Sequence, residues 1–287
     1  MYTTLIDAEH LARALAGPGQ DSVLVLDCGF DLTDPEAGRR QYEAGHIPGA
    51  AYVHLDETLS GPKTGMNGRH PLPDREAFAA ALAALGANRD TQIVAYDNAG
   101  GMYAARLWWL LRWIGHDAVA VLDGGMGAWK AAGQPLSTEP PAPRAPGDLA
   151  ARAGRQRTLT YAEMREALES GGRVVLDARA PDRYRGENET LDKVGGHIPG
   201  ARNRFFRDNL GADGRFLSAE QLRQAFTERM DGRAPDAVVN QCGSGVTACH
   251  NLLAMEIAGL AGAALYPGSW SEWSAQPGAP VAAGPDA

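Results

Sequence analysis

Cysteine is scarce in this chain. Cys28, Cys242 and Cys249 make an odd, low count for 287 residues, which argues against a disulfide framework and fits a reducing, cytoplasmic setting. Positive charge is short too. Lys and Arg number 27 against 35 Asp and Glu, a formal net charge of −8, so no basic surplus exists to meet nucleic acid or an anionic membrane. No apolar run of membrane-spanning length is free of charge, and Met1 to Ala16 carries Asp7, Glu9 and His10 where a signal peptide has its apolar core. A soluble protein is expected. The cysteines and histidines lack the spacing of metal ligands, and no glycine-rich dinucleotide fingerprint occurs, so neither a metal nor a cofactor is expected.

What the chain does have is a duplication. Ala44-Gly45-His46-Ile47-Pro48-Gly49-Ala50 recurs as Gly195-Gly196-His197-Ile198-Pro199-Gly200-Ala201. Upstream of each copy a short apolar run ends in aspartate, at Asp27 and Asp177. Downstream, Ile93 to Asp97 matches Val238 to Cys242, and Val121 through Trp129 matches Leu265 through Trp273. Four landmarks in one order mark a repeated domain. The expected division is a first domain over 1–138, a Pro/Ala/Gly/Arg-rich linker over 139–157 and a second domain over 158–287. Helical patterns at 75–85, 104–113, 161–169, 219–229 and 249–257 alternate with the apolar runs, which predicts an α/β fold with mostly parallel sheets flanked by helices.

Cys242-Gly243-Ser244-Gly245-Val246-Thr247-Ala248 lies between a predicted strand and a predicted helix. Converging backbone N–H groups and a helix N-terminus favour a thiolate in such a loop, and the thiolate is the nucleophile. A buried structural cysteine in a tight turn is the competing reading. At the matching place in the first half stands Asp97, which can cap a helix but cannot accept and hand on sulfur. Ala248, sixth after the cysteine, occupies the place where a cysteine phosphatase needs an arginine to clamp phosphate, so dephosphorylation is excluded.

The repeated His-Ile-Pro-Gly-Ala, the Cys242 loop and the closing Gly268-Ser269-Trp270-Ser271-Glu272-Trp273 resemble the tandem-domain rhodanese-like sulfurtransferases over nearly the whole chain. The resemblance implies two rhodanese-like domains with the active site in a cleft between them. The loop Cys-Gly-Ser-Gly-Val-Thr is similar to that of 3-mercaptopyruvate sulfurtransferases; thiosulfate sulfurtransferases carry Arg-Lys in place of Gly243-Ser244. The implied chemistry is ping-pong: Cys242 takes sulfur from a small anionic donor as a persulfide, then passes it to cyanide or a thiol, a thioredoxin-like protein included. The amides of 243 to 247, with Gly243, Gly245, Val246 and Thr247 among the substrate-binding residues, are expected to stabilise the persulfide. Thr247 is open to a second reading as a helix N-cap.

The resemblance further assigns Arg183 to the donor's carboxylate, and Ser244, His70 and Asp56 to a relay that carries a proton to the departing enolate. A solvent-facing loop histidine is the alternative for His70. The mercaptopyruvate enzymes have a second arginine between Arg183 and the second His-Ile-Pro-Gly; this chain has Thr190-Leu191-Asp192-Lys193 there, and Lys193 is the candidate substitute. Thiosulfate:cyanide sulfurtransfer and a non-enzymatic persulfide carrier are the alternative functions. His46 and His197, present in both halves, are expected to be structural, Cys249 to pack as a small apolar residue, and the tryptophans to fill cores, with Trp270 open to a place in the cleft.

Overall fold

The computed structural model describes residues 1–285. They form two units. The first consists of Met1–Gly61, Pro73–Arg155 and Leu210–Phe216; the second consists of Pro62–Leu72, Gln156–Asn209 and Leu217 onward. Each half of the sequence therefore lends one short segment to the other half's unit.

In the first unit the chain runs β1 (Leu5–Ile6), α1 (Ala8–Ala16), β2 (Val23–Asp27), α2 (Ala37–Ala44), β3 (Ala51–Tyr52), α3 (Arg75–Ala84), β4 (Gln92–Tyr96), α4 (Met102–Trp113), β5 (Val119–Leu122) and α5 (Gly125–Ala131). Its strands pair in parallel in the order β1-β5-β4-β2-β3. The second unit repeats this with β6 (Arg157–Thr158), α6 (Tyr161–Ser170), β7 (Val174–Asp177), α7 (Pro181–Arg185), β8 (Arg202–Asn203), α8 (Ala219–Arg229), β9 (Val238–Gln241), α9 (Thr247–Ile257), β10 (Ala264–Leu265) and α10 (Ser269–Trp273). The order is β6-β10-β9-β7-β8, again all parallel. The expected α/β class with parallel sheets is what the chain builds.

The central strands are buried along their whole length, β2 as Val-Leu-Val-Leu-Asp and β9 as Val-Val-Asn-Gln, because helices cover both sheet faces. Four of the helices start where polar side chains satisfy their first N–H groups. Asp7 and Asp74 cap α1 and α3, while Thr160 with Glu163 and Ser218 with Gln221 form capping boxes on α6 and α8. Both aspartates singled out by the repeat close a central strand: Asp27 pairs with Tyr96, and Asp177 with Gln241. The residues following these partners, Asp97 and Cys242, thus stand at the carboxyl ends of equivalent strands, where open α/β sheets bind ligands.

His46 and His197 are buried anchors of the repeated turn. Each Nδ1 bonds a backbone carbonyl, of Tyr42 at 2.8 Å and of Tyr184 at 2.9 Å, and each ring stacks on the same tyrosine. The structure departs from expectation at two helix starts: α4 begins at Met102, two residues before the expected 104, and α9 does likewise. α9 begins at Thr247, two residues before Cys249, and Val246 holds the N-cap position without a side-chain bond. Thr247 is therefore not the cap. Gly245, at φ +77°, makes the turn by itself, so the helix needs no polar side chain to enter it.

Candidate active site

The second unit assembles a site around Cys242, at the carboxyl end of β9. The residue is 1 % exposed, and its Sγ accepts the Gly245 N–H at 3.2 Å. The loop is braced from below. The Cys242 N–H donates to Ser269 Oγ at 3.1 Å, and the Cys242 and Gly243 carbonyls accept from Trp270 and Ser271. Gly245 cannot be replaced without cost, because a Cβ there would lie 2.4 Å from the Pro267 carbonyl oxygen. Cys249, one turn into α9, is fully buried and donates its thiol to the Gly245 carbonyl at 3.3 Å. Cys28, in the first unit, is buried, and burial pushes its thiol well above the usual range, with Asp27 and Asp97 adding to it. All three cysteines are free.

His70 belongs to this same unit, carried there by the segment 62–72. The Arg69 N–H donates to Ser271 Oγ at 3.0 Å, Gln276 donates to the Met66 carbonyl, and Gly68 lies against Gly268, so the segment is pinned to α10. His70 is 3 % exposed, and its Nδ1 lies 2.7 Å from Ser244 Oγ. The solvent-facing reading of this histidine is thereby overturned. Asp56 lies in the first unit, in the turn after β3, where its N–H donates to His54 Nδ1 at 3.2 Å.

Two guanidinium groups converge on Gly243. A Cβ on that glycine would meet Arg69 Nη2 at 2.9 Å and Arg183 Nη1 and Nη2 at 3.6 Å. Each arginine is held from behind by a buried carboxylate. Glu189 takes Arg183 bidentately, with Nη2 to Oε1 at 2.8 Å and Nε to Oε2 at 3.2 Å. Asp192 takes Arg69 through Nη1 and lies 3.5 Å from Arg183. The carboxylate side chains are 4 and 8 % exposed, the arginines 20 and 27 %, so the open edge of the cluster is cationic. Burial alone pushes the Glu189 carboxyl up; hydrogen bonds from Arg183, Leu191 and Asp192 outweigh it and hold the carboxyl below its ordinary range.

Behind this cluster lies Arg179, almost fully buried and closed onto Asp177 at 2.6 Å, with its guanidinium 4.8 Å from the centre of the Trp270 ring. Burial works against that charge, but Asp177, Glu189 and Cys242 prevail and raise its pKa. Trp270 is buried beneath it and donates to the Val194 carbonyl, a core role. Lys193 is exposed and pairs with nothing among the described residues. Arg69, Glu189 and Asp192 were not foreseen as site residues. The signal was a second cation next to a candidate catalytic histidine, in Gly68-Arg69-His70, and two carboxylates within ten residues of Arg183.

The equivalent loop of the first unit is filled by its own side chain. Asp97 Oδ1 accepts from the N–H groups of Ala99 and Gly101, and Oδ2 from Tyr103 and Ala104, all at 2.8–2.9 Å. The amides available to an anion there are spent on a carboxylate that also caps α4. One trio in that unit, Glu36, His54 and Glu57, brings ligand-type atoms within 4.8 Å of one another; Arg39 pairs with both carboxylates, which makes it an ion-pair cluster. No helix among the described residues is long and apolar enough to cross a membrane.

Known proteins bear directly on this geometry. The model of the rhodanese-like domain matches twice, at 7–132 and 160–276. A Pseudomonas aeruginosa protein named "Probable 3-mercaptopyruvate sulfurtransferase" is 49 % identical over 282 residues, covering 98 % of each chain. The thiosulfate sulfurtransferase of Bos taurus is 36 % identical over 95 % of this chain and 92 % of its own. The solved 3-mercaptopyruvate sulfurtransferase of Leishmania major aligns with a TM-score of 0.80 and 31 % identity, over 95 % of this chain and 74 % of that one.

Proposed function

The chain belongs to the rhodanese-like sulfurtransferases, and from that premise we propose that it moves sulfur from 3-mercaptopyruvate to a thiol or cyanide through a persulfide on Cys242. The observation that carries this choice of donor is the 2.7 Å contact of His70 Nδ1 with Ser244 Oγ, two residues from the nucleophile. Mercaptopyruvate leaves as an enolate, which must gain a proton to become pyruvate, whereas thiosulfate leaves as sulfite and needs none. A buried histidine–serine pair serves the first reaction only.

The donor's carboxylate binds the open edges of Arg183 and Arg69, whose planar forks suit it. The Cys242 thiolate attacks the donor sulfur. A sulfur–sulfur bond forms, the carbon–sulfur bond breaks, and its electron pair passes to the carbon, which takes a proton from the Ser244 hydroxyl backed by His70. Loop amides, with Gly245 N–H already on Sγ, stabilise charge on the persulfide. An acceptor thiolate then attacks the outer sulfur and restores the Cys242 thiolate. A reducing cytoplasm and a thioredoxin-like acceptor fit this second step, since both supply thiols.

Thiosulfate transfer is the second reading, favoured by the same pair of guanidinium edges, which accept any small oxyanion. Replacing His70 with alanine separates the two. The expected result is a fall in kcat with mercaptopyruvate of about a hundredfold or more, with thiosulfate turnover near that of the parent. Equal turnover of mercaptopyruvate by parent and variant would sink the relay and leave thiosulfate transfer or a persulfide carrier.

A further inference from the structure

The two units repeat one fold, and at the ends of their equivalent strands β2 and β7 one difference is of charge: Gly29 in the first stands where Arg179 stands in the second. After β7, the Arg179 side chain folds back onto Asp177, with Nε at 3.1 and 3.0 Å from the two carboxylate oxygens and Nη2 at 2.6 Å. Nη2 also donates to the Gly196 carbonyl at 2.7 Å, and the guanidinium covers the Trp270 ring. After β2 the same position is Gly29. The backbone is alike in both: Gly29 N–H donates to Asp27 Oδ1 at 2.7 Å, and Arg179 N–H to Asp177 Oδ1 at 2.9 Å. The surrounding positions correspond as well, Gly45 to Gly196 and Met126 to Trp270.

Where Arg179 has its guanidinium in the second unit, the first has a cavity of about 350 Å³. Asp27, Gly29, Gly45, Tyr96, Met126 and Lys130 are among the residues that line it. Asp27 is 6 % exposed. Burial raises its carboxyl above the ordinary range, against the pull of the Tyr96 hydroxyl and the Gly29 N–H. Its sister Asp177 has a cation in direct contact.

We propose that this cavity binds the guanidinium group of a small molecule on Asp27, in the place that the Arg179 side chain fills in the second unit. A planar cation with several N–H donors is what the fold itself puts against this carboxylate and this glycine carbonyl. Lys130, exposed at the same cavity, suits a carboxylate at the ligand's other end, so free arginine is the fitting probe. The site belongs to the first unit and does not depend on the sulfur chemistry.

The test is calorimetric titration of the full-length chain with L-arginine, with its neutral isostere L-citrulline, and with an arginine blocked at both ends. Arginine is expected to bind saturably, and citrulline about tenfold or more weakly, because it lacks the charge. Asp27→Asn keeps the acceptor for Gly29 and loses the charge, and Gly29→Arg supplies the sister unit's side chain. A Cβ at Gly29 meets Asp27 Oδ1 at 3.0 Å and Gly38 Cα at 3.8 Å, so the graft needs a shift of only a few tenths of an ångström. Both variants are expected to lose arginine binding. Equal binding of arginine and citrulline, retention by Asp27→Asn, or no saturable binding to the parent chain would overturn the proposal. Blocked arginine binding as tightly as the free amino acid would overturn the small-molecule source and assign the site to an arginine side chain of another protein.

Discussion

At the scale of single residues, the cluster over Gly243 makes the sharpest statement. Arg69 and Arg183 each spend one edge on a buried carboxylate and present the other to the loop of the nucleophile. Arg69→Ala is therefore expected to raise KM for either anionic donor by about tenfold, the loss of one charge-assisted contact, with a smaller change in kcat. Lys193→Ala, which removes an exposed side chain, is expected to leave both unchanged; the reverse pattern in steady-state kinetics would give the second cation back to Lys193. Glu189 is the post on which this arrangement stands, since Arg179 lies 3.6 Å and Arg183 2.8 Å from its oxygens. Removing its charge with Glu189→Gln leaves the buried Arg179 and the partly exposed Arg183 short of a partner, at a cost of about 3 kcal/mol. Because the folded protein holds the Glu189 carboxyl below its unfolded range, this contribution is complete above that range and is lost as the pH falls through the folded value. Denaturant melts of parent and variant should thus differ most near neutrality and converge only in acid, once the pH has passed below the lowered range of the folded carboxyl; a gap that widens in acid would contradict the assignment.

At the scale of elements, the two strand-to-helix loops after β4 and β9 are the same device put to two uses. In one, Asp97 gathers four N–H groups and ties α4 to its strand. In the other, Cys242 takes one N–H and leaves its loop to a ligand's charge. Asp97→Ala is expected to destabilise the chain by about 2–3 kcal/mol, the cost of stranding buried donors, as read by the shift in urea midpoint. Asp97→Cys should destabilise it as well and yield no second persulfide. Much of this was legible. The repeat placed Asp97 opposite Cys242, and the strand-to-helix reading put both at the carboxyl ends of strands. The start of α9 was not legible, because the turn is made by Gly245 in a left-handed conformation and leaves no polar cap to read. Helices α5, α7 and α10 run only five to seven residues, too short for an apolar period to register.

At the scale of the whole molecule, duplication made the fold readable and concealed part of the site. Both sheets follow from the matched apolar runs. That 62–72 joins the second unit does not, because no composition shift marks the exchange and the link is made by contacts such as Arg69 with Ser271 and His70 with Ser244. For that reason His70 was found through resemblance, while Arg69, its neighbour, was passed over. The cationic edge at Gly243 within a chain of net charge −8 also shows why a negative total leaves room for a small anionic donor. The most direct test of the account is a single turnover with 3-mercaptopyruvate and no acceptor, followed by peptide mass spectrometry. One added sulfur on the Cys242 peptide is expected, with released pyruvate in equal amount, and neither product from Cys242→Ser. Sulfur carried on the Cys28 or Cys249 peptide, or pyruvate released without any sulfur on Cys242, would contradict it.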